Sequence, residues 1–275
     1  MSRVRLLFFC VCLIGTFSGS ANAQTAGLGI RPMRLEMEVV PGKSKTASFV
    51  IESPPSDVDV RGRLILSLTD WVIHEDTSVA YIEAGSQARS ASPWIVFSPT
   101  DVTISSGQER LVRLTANVPA GTPPGVYTSA LFVQERPPAR TPKEGERLIF
   151  FRFRYVVTIY VIVQPVSGKG EIADFQLIRD AKGVQLVCLL KNTGTRHIRP
   201  IISWFLRSGA EELVAEKNVE TTVLLPSAST KETLTVPMPL DAGEYEIEAQ
   251  VDFHDGQPLQ TIKRKVDLVS LSARQ

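Results

Sequence analysis

The chain has 275 residues, with 30 lysines and arginines against 29 aspartates and glutamates, and only 3 cysteines. So even a charge balance excludes bulk electrostatic attraction to nucleic acid or to an anionic membrane, which leaves shape and local chemistry to select a partner. So few cysteines exclude a fold held by a disulfide framework.

Arg3 and Arg5 open the chain, the apolar run Leu6 to Ile14 follows, and the small residues Ala21-Asn22-Ala23 come next. This is the pattern of a secretory signal peptide over residues 1–23, cleaved after Ala23. The run is too short to span a membrane, and Cys10 and Cys12 lie inside it rather than at a cleavage point, which argues against a lipoprotein. Removing Arg3 and Arg5 leaves an exported chain with one more acid than base. Its one cysteine, Cys188, sits in the apolar segment Val184 to Leu190 and reads as a buried core thiol. No later run approaches the roughly 18 uninterrupted apolar residues of a membrane helix, so no membrane insertion is expected and the product reads as a soluble periplasmic protein.

From Gly29 two apolar runs flank the turn dipeptide Pro41-Gly42, with Ala47, Phe49 and Ile51 alternating in the second. Leu64, Leu66 and Leu68 alternate with Arg63, Ser67 and Thr69, giving one buried and one wet face. Val112, Leu114, Ala116 and Val118 repeat the pattern after Ser106-Gly107. Turns recur at intervals of about ten residues, marked by 18 Gly and 18 Pro, which predicts a β-sandwich. Tyr127 follows Gly125-Val126 at a strand start, and Tyr245 follows Gly243-Glu244 in the same way; both suit the tyrosine corner of immunoglobulin-like sandwiches. The reading is therefore all-β, with two immunoglobulin-like sandwich domains in tandem over residues 24–164 and 171–275, joined by a Pro/Gly connector at 165–170 that is too short to hold them far apart. The second domain is expected to hold seven strands, Ile172 to Ile178, Val184 to Leu190, Ile198 to Leu206, Thr221 to Leu225, Thr230 to Val236, Tyr245 to Phe253 and Leu259 to Val269. Trp204 suits its central strand, and Asp255-Gly256 is a hairpin turn. Ala210 to Glu220 has the propensity of a short surface helix, which a sandwich often overrides.

The longest sheet-like run is Gly145 to Pro165. Ile149, Phe151, Phe153, Tyr155, Val157, Ile159, Val161 and Val163 form one apolar ladder at period two, while Arg152, Arg154 and Thr158 make the other face polar in its middle. One strand of this length exceeds the needs of a single sandwich, so one half is expected to close the domain and the other to be offered elsewhere. Arg152 and Arg154 could bind a partner's carboxylate, or simply keep a strand edge from aggregating.

Little else carries chemistry. His74-Glu75-Asp76 has no spaced second group and reads as a turn, and His197 and His254, beside turns, read the same way. No zinc-protease, nucleophile-elbow or phosphate-loop motif occurs, so neither an enzyme, a metal nor a cofactor is expected.

The segments SPWIVFSP, SSGQERLVRL and PPGVYTSALFVQERPP, with the long strand that follows, resemble the periplasmic pilus (fimbrial) chaperones over Gly29 to Pro165. The second domain is similar only in its sandwich pattern and the NTG segment at Asn192 to Gly194. The resemblance implies a boomerang of two domains, a chaperone that stabilises pilus or other surface-structure subunits by lending them a strand, pilin-like protein subunits as partners, and room for an outer-membrane usher. It places Ile149, Phe151 and Phe153 among the donated side chains and keeps Val157 to Val163 in the chaperone's own core. It implies a first-strand arginine that anchors the subunit's terminal carboxylate; Arg31 and Arg34 both qualify, and the MRLEM segment favours Arg34. The family's long-strand lysine falls on Thr158, a departure that leaves half of that anchor missing. A structural or adhesive envelope protein of the same fold is the alternative. Mass spectrometry of the exported protein is expected to find Gln24 at the N-terminus; an intact Met1 or a lipidated cysteine would exclude that processing.

Overall fold

The computed structural model describes residues 27–55, 62–136, 153–180 and 183–268. The proposed leader, the hairpin tip after Pro137, and Ile149, Phe151 and Arg152 lie outside them. Among the described residues the chain is all-β, apart from one 3-10 turn at Ser92–Trp94. The strands are β1 (Gly29–Arg31), β2 (Arg34–Val39), β3 (Ser44–Glu52), β4 (Gly62–Ile73), β5 (Val79–Ile82), β6 (Ile95–Ser98), β7 (Asp101–Ile104), β8 (Glu109–Asn117), β9 (Gly125–Glu135), β10 (Arg154–Val163), β11 (Gly170–Asp180), β12 (Gly183–Asn192), β13 (Ile201–Ser208), β14 (Glu211–Glu220), β15 (Ser229–Thr235), β16 (Glu244–Asp252) and β17 (Gln260–Asp267).

The first ten strands build one sandwich. Its sheets run β1-β3-β8-β6 and β2-β10-β9-β4-β5, with β7 beside the start of β4. Alternation decides which side chains enter: in β2 Leu35, Met37 and Val39 point inward while Arg34, Glu36 and Glu38 point out. The chain crosses from the first sheet to the second between Arg31 and Arg34. Val157, Ile159, Val161 and Val163 of β10 are fully buried between the sheets, as the ladder predicted, each contributing roughly 1.5–3 kcal/mol by burial. Tyr160 and Ile162 on the opposite face join Trp71, Val126 and Ala130 in a separate cluster.

Strands β11 to β17 build the second sandwich, with sheets β11-β12-β15 and β14-β13-β16-β17. Trp204 is buried on β13, flanked by β14 and β16. Two expectations change here. Residues 211–220 form β14 rather than a helix, because only a strand can satisfy the backbone donors and acceptors along the outer edge of β13. The segment Thr221 to Leu225, expected as a strand, makes only an isolated bridge between Ile198 and Leu224. Both tyrosine corners form: Tyr127 Oη donates to the carbonyl of Pro123 at 3.1 Å, and Tyr245 Oη to that of Asp241 at 2.8 Å. Cys188 is buried, and burial pushes its thiol pKa up to about 12, which keeps it an unreactive core residue.

Two carboxylates with buried oxygens contrast. Asp70, fully buried, accepts from Ser90 Oγ at 2.8 Å, Ser92 Oγ at 2.5 Å and the Gly85 amide at 3.0 Å, tying the 83–92 loop to β4. Glu232, opposite Cys188, has a buried Oε1 with no partner, and burial raises its pKa. A raised carboxyl favours the fold below the ordinary value near 4.5 and costs stability as the pH climbs past the folded-state value. Glu232→Gln is therefore expected to raise the melting temperature at pH 7 and to lose that advantage near pH 4, whereas Asp70→Ala, which strands four donors, loses on the order of 3 kcal/mol at pH 7. Thermal melts at the two pH values check both.

Candidate functional site

The two edges of β10 are unequal. Its whole length pairs antiparallel with β9, from Arg154 opposite Gln134 to Val163 opposite Gly125. On the other side β2 runs parallel, but only from Thr158, which lies opposite Arg34. The Thr158 amide donates to the Met33 carbonyl at 2.9 Å, so alternation turns the amides of Val156 and Arg154 toward the same edge. Among the described residues no strand pairs with that edge upstream of Thr158. Beside it, Phe153 is 51% exposed. Arg154 lies over the Phe132 ring at 4.5 Å and donates to Gln134 Oε1 at 3.2 Å, and Phe132 meets Tyr81 edge-on at 5.1 Å. Tyr155 Oη accepts from the Leu28 amide at 2.9 Å.

The two first-strand arginines go to different places. Arg31 turns to the β1-β3-β8 sheet and pairs with Glu52 at 2.7 Å and Glu109 at 3.4 Å. Arg34 stands on the outer face of β2, level with Thr158, and reaches Glu36 at 3.6 Å, an ion pair beyond hydrogen-bond length. Thr158 spends its hydroxyl on the Met33 carbonyl at 3.3 Å.

That outer face looks into the cleft between the sandwiches, where sequence reasoning placed nothing from the second. His197, expected to be a turn residue, is buried there. Its ring stacks on Tyr160 at 4.5 Å and its Nε2 meets Glu36 Oε1 at 3.2 Å. A carboxylate only accepts, so Nε2 carries the proton and Nδ1, buried without a partner, is the bare nitrogen. Arg199 donates to the same Glu36 oxygen at 3.0 Å with its guanidinium over the Tyr160 ring at 5.1 Å, and Arg196 donates to Glu38 at 2.8 Å. Val223 and Leu225 pack on the Trp71, Tyr160 and Ile162 cluster beside them. A signal existed: the charges of Arg34-x-Glu36-x-Glu38 all fall on one strand face, and Arg196, His197 and Arg199 follow the NTG turn within a few residues.

The connector holds this geometry. Asn192 is buried, its Nδ2 donating to the Arg196 and Leu224 carbonyls at 2.8 and 2.9 Å and its Oδ1 accepting from the Gly194 amide at 2.9 Å. The turn so fixed takes the connector along it, Thr193 N to Lys169 O and Thr195 N to Ser167 O, both at 2.8 Å. A Cβ on Gly194 would sit 2.5 Å from the Lys169 nitrogen and the Ser167 oxygen, so only glycine permits the approach.

Burial lowers the His197 pKa from its ordinary 6.5, only partly opposed by Glu36, and the nearby guanidinia lower it further. Burial acts to raise the Glu36 carboxyl, but His197, Arg199 and Arg34 outweigh it and hold the carboxyl below its ordinary 4.5. Both folded-state values are depressed, so both contributions are complete at neutral pH and fade on acidification, that of His197 starting below 6.5 and that of Glu36 below 4.5. His197→Phe keeps the ring stack and removes the titration; the stability difference between wild type and this variant is expected to shrink as the pH falls from 7 to 5. A difference constant over that range, in paired thermal melts, would exclude the assignment.

No family model matches this chain, and no curated protein does. Among solved structures it is similar to the YadV chaperone, at 11% identity over 88% of this chain and 99% of that one with a TM-score of 0.48. It is similar also to a chain of the CsuC–CsuE chaperone–tip adhesion subunit pre-assembly complex from archaic Csu pili of Acinetobacter baumannii, at 16% identity, 86% and 98% coverage and a TM-score of 0.46. The chaperone DraB of E. coli is similar at 13% identity, with 87% and 98% coverage and a TM-score of 0.44. No residue role carries across identities this low.

Proposed function

We propose that this protein is a secreted periplasmic chaperone that binds and stabilises pilin-like or other surface-structure subunits by adding its long strand, residues 147–163, to theirs. The observation that supports it is the one-sided edge of β10: among the described residues, the backbone from Arg154 to Val157 is paired with β9 and left open on the side where β2 has not yet begun. An extended segment of a partner can take those donors and acceptors. Main-chain bonds then supply generic pairing, and the apolar side chains Ile149, Phe151 and Phe153 supply burial in the partner. Arg34, solvent-facing and level with the point where β2 begins, is the residue we assign to the partner's terminal carboxylate, with Arg152 and Arg154 as flanking contacts. An outer-membrane usher is the natural recipient of such a complex. The reading needs no chemistry beyond binding, and the domains act as 24–164 and 171–275 about the connector.

Backbone substitution tests it without altering the core. Val156 directs its amide to the open edge, so Val156→Pro removes that donor and costs the β9 ladder nothing. In a pull-down from periplasmic extract Val156→Pro is expected to lose its subunit, with capture falling about tenfold or more, while Val156→Ala, which trims the side chain but keeps the amide, retains it. Equal capture by the two variants would exclude strand addition at this edge and favour an adhesive envelope role.

A further inference from the structure

Two donors from the second sandwich and one guanidinium from β2 itself surround one oxygen. Glu36 Oε1 lies 3.0 Å from Arg199 Nη1, 3.2 Å from His197 Nε2 and 3.6 Å from Arg34 Nε. Two guanidinia and an imidazole N–H around a single carboxylate oxygen make the kind of setting in which a ligand carboxylate is held, and here the chain fills it from within. The hub is not sealed. The side chains of Glu36, Arg199 and Arg34 keep 29%, 30% and 55% of their surface, and a groove of about 420 Å³ leads from Glu36 past His197 and Arg199 to Gly168 and His254. Arg34 stands beyond hydrogen-bond length, so its guanidinium is available to a second acceptor. Glu38, two residues on along the same face, meets Arg196 alone among the cations of the described residues, at 2.8 Å, and serves as an internal control for charge without convergence.

We propose that Glu36 is a built-in occupant of a carboxylate-binding position formed by Arg34, Arg199 and His197, and that a partner's free carboxylate competes with it there. The proposal deepens the strand-addition reading and rests on it only for which molecule carries the carboxylate. A resident competitor makes a lone carboxylate a weak ligand. A partner already paired along β10 presents its carboxylate at a far higher effective concentration and can displace the occupant, so capture requires both contacts together.

The test uses the full exported chain and the dipeptide acetyl-Ala-Ala, as free acid and as amide, which is too short to extend a strand. Binding is read by NMR titration. Glu36→Gln keeps an acceptor for His197 and is expected to strengthen binding of the acid about three- to fivefold, the range for releasing a half-exposed ion pair, with no change for the amide. Glu38→Gln removes the same charge from the same face and is expected to change the acid much less. Adding Arg199→Ala to Glu36→Gln should abolish the gain. Equal gains from Glu36→Gln and Glu38→Gln, or equal binding of acid and amide throughout, would overturn the proposal. Should Glu36→Gln fail to fold, single substitutions decide: Arg199→Ala must weaken binding of the acid more than Arg196→Ala does. Because the dipeptide cannot pair with β10, failure here leaves strand addition standing, and a Val156→Pro chain that still captures subunits overturns strand addition without touching this result.

Discussion

The structure depends on how the backbone of β10 is satisfied. From Thr158 to Val163 it is paired on both sides, with β9 and with β2, and its odd-numbered side chains fill the first core. From Arg154 to Val157 it is, among the described residues, paired on one side, so one strand passes from interior to edge without a break. The interior half is what holds the edge half in place. Four fully buried side chains and a double ladder fix position and register, so the segment from Arg154 to Val157 is held in extended form by the half that follows it. The ordering cost of these four residues is therefore met in folding.

The second organising feature is the outer face of β2. Its acids and its arginine alternate with inward apolar residues, and the second sandwich answers them with Arg196, His197 and Arg199. Tyr160 is shared between the two: its ring takes the His197 stack, the Arg199 guanidinium and the edge of Trp71 at 5.6 Å. Charge and aromatic packing thus meet at one residue of β10, two positions beyond the point where its edge opens. The cleft and the open edge are parts of one strand.

Much of this was legible in the sequence. Period-two alternation located the β10 core half, because burial on one face leaves a pattern that needs no knowledge of neighbours, and a tyrosine just after a glycine at a strand start located both tyrosine corners. Two kinds of information were not local. The path of residues 211–225 depended on the unpaired edge of β13, a partner distant in sequence, so helix propensity misled at β14 and an apolar run misled at 221–225. The role of His197 depended on its meeting Glu36, 161 positions away in sequence. Read alone it was a polar residue beside a turn. The MRLEM segment favoured Arg34 over Arg31, but that the chain crosses from one sheet to the other at Pro32 and sends the two side chains to different places was not legible.

Gly194 links these elements in a way that bears on how the molecule becomes competent. The connector lies along the turn that Asn192 and Gly194 form, so the placement of Arg199 beside Glu36 is set by a loop made after the whole of the first sandwich has been synthesised. The open edge belongs to the earlier part of the chain and the carboxylate hub to both. A nascent or truncated chain ending near Pro165 would carry an unpaired strand edge with no cleft to discipline it, a species prone to indiscriminate pairing. A single methyl group at position 194 would collide with the backbone of Lys169 and Ser167, so it would push the connector off the turn that places Arg199 beside Glu36.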